Sequence, residues 1–350
     1  MDLASLGWTD FFAQAFGVHA TAGLLPARVA LEHKHAYVLL AEQGELSAEV
    51  VGRLLKRHMM TSLPAVGDWV AVAVRPGEPR VHIHAVLPRR TRFSRRAPGE
   101  REEEQVIAAN LDTLFLVCGL DADFNPRRIE RYLALARGSG AEPVLVLNKS
   151  DVCADAAASL ALARDLAGDA AVHMISAQDG TGLDALAPYL QPGRTVALLG
   201  SSGVGKSTLV NRLFGAERQA TGDVREDDRG RHTTTSRELI VLPGGALLID
   251  TPGLRELQLW DRAIDGLLAV FPEIMELGAA CRFRDCHHDA EPDCAVRAAL
   301  AAGTLPAERF ASFLKLRAEL VALEARATGI GRPHGGGGRR RTTGRRIMRG

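Results

Sequence analysis

TVALLGSSGVGKSTLVNRLF, residues 195 to 214, decides how the rest of the chain is read. A short β-prone run, Thr195 to Leu199, enters a glycine-rich turn and leaves it as a helix-like stretch with apolar residues at helical spacing. In such a strand-loop-helix unit the glycines let successive backbone N–H groups face an anion. The helix N-terminus adds its own partial positive charge. Gly200, Ser201, Ser202, Gly203, Val204, Gly205, Lys206, Ser207 and Thr208 therefore read as a phosphate-binding loop, against the bland alternative of a glycine-rich turn. Lys206 would reach the β and γ phosphates and stabilise charge during their cleavage, and the Ser207 hydroxyl would ligate Mg²⁺.

A phosphate loop does not choose its base. The choice comes from NKSD, Asn148, Lys149, Ser150 and Asp151, at the end of the apolar run EPVLVLN. A carboxylate at Asp151 can accept two hydrogen bonds from the N–H groups on one edge of guanine. Adenine offers no such pair, and a site left with an unpaired carboxylate rejects it. Lysine occurs only at positions 34, 56, 149, 206 and 315, so two of the five lysines fall in these two motifs. After the next apolar run, AVHMI, Ser176 and Ala177 suit a loop whose backbone meets the guanine oxygen.

Downstream of the phosphate loop, DTPG (Asp250 to Gly253) follows the apolar run ALLI. Asp250 can hold Mg²⁺ through water, and the N–H of Gly253 can meet a γ-phosphate. Between the two, GRHTTTS (230 to 236) lies in a polar stretch without apolar period and fits a switch loop. Thr234 is the candidate to complete Mg²⁺ coordination, with Thr233 and Thr235 as alternatives. The residue after DTPG is Leu254, where many GTPases carry a water-orienting glutamine, so unassisted hydrolysis should be slow. His232 is the local candidate for positioning water, and a hydrogen-bonded loop histidine is the alternative.

The motif order is unusual. NKSD and SA precede the phosphate loop instead of coming after DTPG, as in a circularly permuted GTPase domain, which a sheet tolerates when old termini are joined and new ones opened. The segment C-terminal to DTPG contains Cys281, Cys286, His288 and Cys294. Three thiolates and one imidazole make a closed tetrahedral zinc site, structural because no position is left for substrate. His287 is an alternative imidazole, and a disulfide the competing reading of the cysteines.

Nearer the N-terminus, five β-prone runs between Pro26 and Pro88, ARVALEH, HAYVLLA, ELSAEVVGRLL, GDWVAVAV and RVHIHAVLP, suggest a small barrel of the OB type or another five-stranded module. From Leu111 strands and helices alternate, as in a parallel sheet flanked by helices. The expected organisation is an extension over 1–25 with exposed aromatics (Trp8, Phe11, Phe12, Phe16), an OB-fold β-barrel over 26–90 and a basic linker over 91–105. A circularly permuted α/β P-loop GTPase domain over 106–260, a helical zinc-binding domain over 261–330 and a basic tail over 331–350 complete it. At 350 residues, with 46% hydrophobic and 24% charged residues, a multidomain globular protein is expected and a fibrous or disordered one excluded.

The first basic residue is Arg28, and no apolar run reaches membrane-spanning length, so neither a signal peptide nor a membrane partner is expected and the cytoplasm is the expected location. The formal net charge of +1 conceals arginine blocks at Arg89, Arg90, Arg92, Arg95, Arg96 and Arg101 and in the tail. Such blocks suit nucleic acid, unless they are simply solvated surface.

The order NKSD, SA, GSSGVGKST, GRHTTT, DTPGLREL and CRFRDCHHDAEPDCAV, behind a barrel containing PAVGDWV, resembles the bacterial small-ribosomal-subunit-dependent GTPases, the RsgA or YjeQ family, over residues 25 to 325. The resemblance implies a late 30S maturation factor whose GTP hydrolysis is stimulated by the small subunit and its 16S rRNA, cycling between GTP and GDP with Mg²⁺ and carrying one structural Zn²⁺. A monomer is expected. Two rivals remain at this level: an RNA-binding assembly factor using GTP as a structural ligand, and a GTPase with another RNA client.

Overall fold

The computed structural model describes residues 1–33, 36–55, 63–96, 104–121, 124–215, 237–250, 267 and 269–327. Five strands form the N-terminal barrel: β1 (Leu25–His33), β2 (Ala36–Ala41), β3 (Gly44–Val50), β4 (Trp69–Ala73) and β5 (Val81–Val86). They pair in the order β1-β2-β3-β5-β4, and β4 returns to β1, so the sheet closes. Closure removes the unpaired edges that an open sheet of this size would expose. Inward residues such as Val29, Leu39, Ala48, Val70 and Ile83 fill the interior.

A helix, α1 (Asp10–Ala20), precedes the barrel. Its expected exposed aromatics need correction: Phe12 and Phe16 are buried, whereas Phe11 is exposed. The reason is Trp69 of β4, against which Trp8 packs edge-on with ring centroids 4.6 Å apart and Phe12 at 5.9 Å. Arg28 of β1 pins the same corner. Its buried guanidinium donates to the carbonyls of Gly67 (3.2 Å), Asn110 (3.2 Å) and Leu6, and lies 5.7 Å from the Trp69 ring centroid. Burial pushes its pKa down to about 10, which still leaves it charged at neutral pH. One side chain thus joins extension, barrel and the start of the next module. Gly67 is required here: its φ is +90°, and a Cβ would lie 2.2 Å from the Ala109 carbonyl oxygen.

The stretch expected as a basic linker, 91–105, contains β6 (Arg92–Arg96) and the first two residues of β7 (Glu104–Ala109), and the two strands pair antiparallel. Part of the arginine block is consumed internally. Arg89 makes two bonds to the buried carboxylate of Asp68 (2.8 and 2.6 Å), Arg90 pairs with Asp112 (3.3 Å) and Arg92 with Glu104 (3.2 Å).

The α/β domain comes next with β8 (Thr113–Gly119), α3 (Pro126–Ser139), β9 (Glu142–Asn148), α4 (Ala156–Ala167), β10 (Ala171–Met174), β11 (Thr195–Leu199), α5 (Lys206–Phe214), β12 (Glu238–Val241) and β13 (Leu247–Asp250); α2 (Gly52–Leu55) lies in the barrel. The strand order is β10-β9-β8-β11-β13-β12, parallel except for β12. Alternate residues of β8 enter different cores. Leu114 and Leu116 face α3 and α4, and Phe115 and Val117 face α5, as expected for a sheet covered on both sides. Strand β12 also meets barrel strand β1 at Leu31 and Glu238, making one continuous sheet through both modules.

The C-terminal helices are α6 (Pro272–Ala279), α7 (Ala295–Ala301) and α8 (Ala307–Ala327). Phe271, Ile274, Phe310 and Phe313 extend the core on the α3 side of the sheet. No helix among the described residues is long and apolar enough to cross a membrane.

Candidate nucleotide and metal sites

In parallel α/β sheets, ligands gather at the carboxyl ends of the strands. Here the phosphate loop leaves β11, NKSD leaves β9, the Ser176 loop follows β10, and Asp250 ends β13. Sequence order is permuted, but all four share one sheet edge.

Asn148 binds three of these pieces together. Its buried side chain donates through Nδ2 to the Val204 carbonyl (2.8 Å) and accepts through Oδ1 from the Ala177 N–H (2.8 Å). Gly205 makes that approach possible: its φ is +94°, and a Cβ would stand 2.2 Å from Asn148 Nδ2. The loop geometry is therefore set by a residue of the base motif.

Lys149 has a left-handed backbone (φ 67°), and its ammonium donates to Asp121 at 2.5 Å. The Ser150 N–H donates to the Ile175 carbonyl (3.1 Å), which ties NKSD to the neighbouring loop. Asp151 is exposed and available to a ligand. Ser176 is buried, its carbonyl accepting from the Gly180 N–H (2.9 Å) and its hydroxyl from the Asp179 N–H (3.3 Å). Arg212 of α5 donates to the Ala177 carbonyl at 3.0 Å.

Within the phosphate loop, Gly200 and Val204 are buried, while Ser202, Gly203 and Ser207 are exposed; Ser201, Gly205 and Thr208 are intermediate. Lys206 Nζ donates to the carbonyls of Gly200 (2.6 Å) and Ser201 (2.5 Å), folded over its own loop. Ser201 Oγ lies 3.3 Å from the Tyr132 hydroxyl of α3, a contact that no sequence motif signals. His232, Thr234 and Gly253 lie outside the described residues, and so do Thr233, Thr235 and Leu254.

The second site lies between α6 and α7. The ligand atoms of Cys281, Cys286, His288 and Cys294 all fall within 4.8 Å of one another. Zinc bond lengths at tetrahedral angles imply about 3.8 Å between sulfurs and about 3.6 Å from sulfur to nitrogen. The separations are 3.8 Å for Cys281 to Cys294, and 3.6 and 3.5 Å from their sulfurs to His288 Nδ1. The donor set thus fits a zinc-sized ion and could hold one, with His288 rather than His287 supplying the imidazole. Burial opposes ionisation of Cys281, but the N–H groups of Val296 and Ala295 at the start of α7, with the Cys294 and Cys286 thiols, outweigh it and lower its pKa, whereas burial and the Cys294 and Cys281 thiols push Cys286 up to about 11. Burial, helped by Arg317, also lowers the pKa of His288, favouring the neutral ring that a metal needs. Glu291 braces the loop, accepting from the N–H groups of His287 (2.9 Å), Asp289 (2.7 Å) and Ala290 (3.1 Å).

The RsgA GTPase family profile matches residues 86–260. The chain is 59% identical over 329 residues to the small ribosomal subunit biogenesis GTPase RsgA of Opitutus terrae, covering 91% of this chain and 90% of that protein. This chain belongs to the RsgA GTPase family. A protein of the same name from Syntrophotalea carbinolica is 48% identical, over 92% of this chain and 90% of its own. Among solved structures, YjeQ from Thermotoga maritima superposes with a TM-score of 0.62 at 25% identity, covering 85% of this chain and 99% of that one. YloQ, described as a circularly permuted GTPase, gives 0.61 at 21% identity, over 85% of this chain and 96% of its own, and supports the fold. The permuted P-loop architecture and the GTPase activity expected of this RsgA protein are thereby established.

Proposed function

We propose that this RsgA-family GTPase acts in late maturation of the 30S subunit, in the cytoplasm and as a monomer, with turnover stimulated by the small subunit through its 16S rRNA. The observation that carries the reading is the Asn148 junction, which unites the base loop, the Ser176 loop and the phosphate loop despite their permuted order. The relatives' shared name supplies the small subunit as client.

Asp151 then selects guanine, with the Ser176–Ala177 loop facing the base oxygen. The backbone N–H groups of residues 200–208 hold the phosphates, and Lys206 leaves its own loop carbonyls to meet charge developing on the γ-phosphate. Ser207 and Thr234 would ligate Mg²⁺ directly, Asp250 through water, and Gly253 would sense the γ-phosphate. Mg²⁺, when bound, would supply neutralisation of phosphate charge. His232 positions the attacking water, since Leu254 cannot. Cys281, Cys286, His288 and Cys294 hold one structural Zn²⁺, which fixes the loop between α6 and α7. The ranges 26–90, 106–260 and 261–330 serve as barrel, GTPase and zinc domains, with 91–105 joining the first two.

The test is multiple-turnover GTP hydrolysis titrated separately with small subunits, large subunits and free RNA. Slow basal turnover accelerated selectively by small subunits is expected. Binding without turnover under every condition would leave a structural-ligand factor instead.

A further inference from the structure

The C-terminal module meets the GTPase domain along α3 and α8. At the seam Arg309 donates to Glu130 of α3 (2.7 Å), to Glu273 of α6 (2.7 Å) and to the Val270 carbonyl (2.6 Å), with its guanidinium 4.3 Å from the centroid of Phe271. Beside this clasp opens a groove of about 290 Å³ whose walls carry four cationic side chains, Arg127, Arg128, Arg131 and Lys315, against two carboxylates, Glu130 and Glu319. Both carboxylates already have a cation: Glu130 has Arg309, and Glu319 has Arg131 at 3.6 Å. The field at the mouth is therefore positive, and Arg127 and Lys315 stand exposed there.

A larger cleft of about 780 Å³ lies beside the same seam. Glu142, Asp165, Asp169 and Glu273 line it, and its two arginines, Arg137 and Arg309, are already paired with Asp169 and Glu130. A polyanion is repelled there and attracted at the smaller groove.

Position adds to charge. Helix α3 starts on the connection leaving the carboxyl end of β8, the sheet edge that carries the nucleotide motifs. Its Tyr132 touches Ser201 of the phosphate loop, and its Glu130 touches the zinc module. An acidic peptide would need apolar pockets to anchor it, but among the described residues Leu316 is the one large apolar side chain lining the groove. A phosphodiester chain needs only regularly spaced cations.

We propose that the groove between α3 and α8 docks the phosphate backbone of the RNA that stimulates turnover, with Arg127 and Lys315 as the contacting residues. Docking there braces the zinc module against the helix that touches the phosphate loop. The inference rests on the small-subunit reading of the function.

The experiment compares full-length wild-type protein with an Arg127→Ala, Lys315→Ala double variant and a charge-conserving Arg127→Lys, Lys315→Arg variant. Small-subunit binding is measured over a salt series, together with GTP turnover with and without subunits, and binding is repeated with deproteinised RNA from the same subunits. The expected double-alanine result is unchanged basal turnover, a raised half-maximal subunit concentration, and a plot of log affinity against log salt shallower by about two. The charge-conserving variant should keep the wild-type slope. Wild-type slope and stimulation in the double-alanine variant would overturn the groove alone. A loss seen with subunits but not with their RNA would make the partner an acidic protein and equally overturn it. A wild-type protein that small subunits neither bind nor stimulate would overturn the functional reading and the groove with it.

Discussion

Replacing Asn148 by alanine isolates the junction on which the nucleotide site depends. The buried side chain holds the Val204 carbonyl and the Ala177 N–H, both at 2.8 Å. Each bond contributes roughly 0.5–1.5 kcal/mol net, and a buried group left without a partner costs about 1–3 kcal/mol. Water entering the polar cavity can recover part of this, so a total of about 2–4 kcal/mol is expected, divided between global stability and preorganisation of the loops. If all of it appeared in nucleotide affinity, the dissociation constant would rise by a factor of about 30 to 800.

The assay is GDP affinity by titration calorimetry beside thermal unfolding of the nucleotide-free protein. The double-mutant partner is Gly205→Ala, whose Cβ would push on the same amide nitrogen from the other side. The two substitutions should be strongly non-additive, because each breaks the same contact. Wild-type affinity and melting temperature in Asn148→Ala would refute the junction, and full additivity would show that Gly205 matters for another reason.

Asp151→Asn should weaken GTP binding and admit xanthosine triphosphate, whose altered edge suits an amide; undiminished guanine preference in competition binding would remove Asp151 from base selection. Lys206→Ala should abolish most turnover while costing only about 1–2 kcal/mol of stability, since the ammonium it removes is part-buried and bonded to the carbonyls of its own loop; wild-type phosphate release would dismiss its role. Arg28→Met should destabilise the protein by roughly 2–4 kcal/mol through three lost carbonyl partners and speed proteolysis near Leu6; an unchanged cleavage rate would separate the extension from this pin. Cys286→Ser should lose zinc and subunit stimulation yet bind nucleotide; full stimulation in zinc-free protein would break that link.

What the sequence makes legible is short and chemically specific. GSSGVGKS, NKSD and the cysteine-histidine array each place demanding residue types within one loop, where local geometry follows from the chain itself. The barrel is readable for a different reason: alternation over strands such as Val81–Val86 reports a single buried face. What escapes is long-range pairing. Arg309 and Glu130 are 179 residues apart, and Arg28 and Asn110 are 82 apart, so neither pair leaves a local pattern. Strands β6 and β7 escape because arginine-rich composition suggests a solvated linker, whereas Arg92 is spent on Glu104. The burial of Phe12 and Phe16 likewise depends on Trp69, which the extension's own sequence cannot disclose.

The permutation changes which parts of the protein can feel one another. With NKSD and α3 placed before the phosphate loop, the DTPG segment is the last nucleotide motif, and the chain then continues into the cysteine-histidine module. That module does not hang from a single covalent tether, because α8 returns to α3 and Arg309 closes a second connection onto Glu130. One attachment is the chain itself, which runs on from Asp250 at the end of β13, and the other runs through α3, whose Tyr132 touches Ser201 of the phosphate loop. Strand β12 gives the barrel a comparable grip, since Glu238 pairs with Leu31 and Arg237 lies 3.9 Å from Glu32. Both flanking modules therefore attach to elements adjoining nucleotide motifs. If docking of RNA on either module changes nucleotide affinity by some factor, nucleotide must change RNA affinity by the same factor. If these contacts are better ordered with GTP than with GDP, a client docked on them should bind the GTP form more tightly, and hydrolysis then becomes the step that releases it; equal subunit affinity for the two nucleotide forms would break this link.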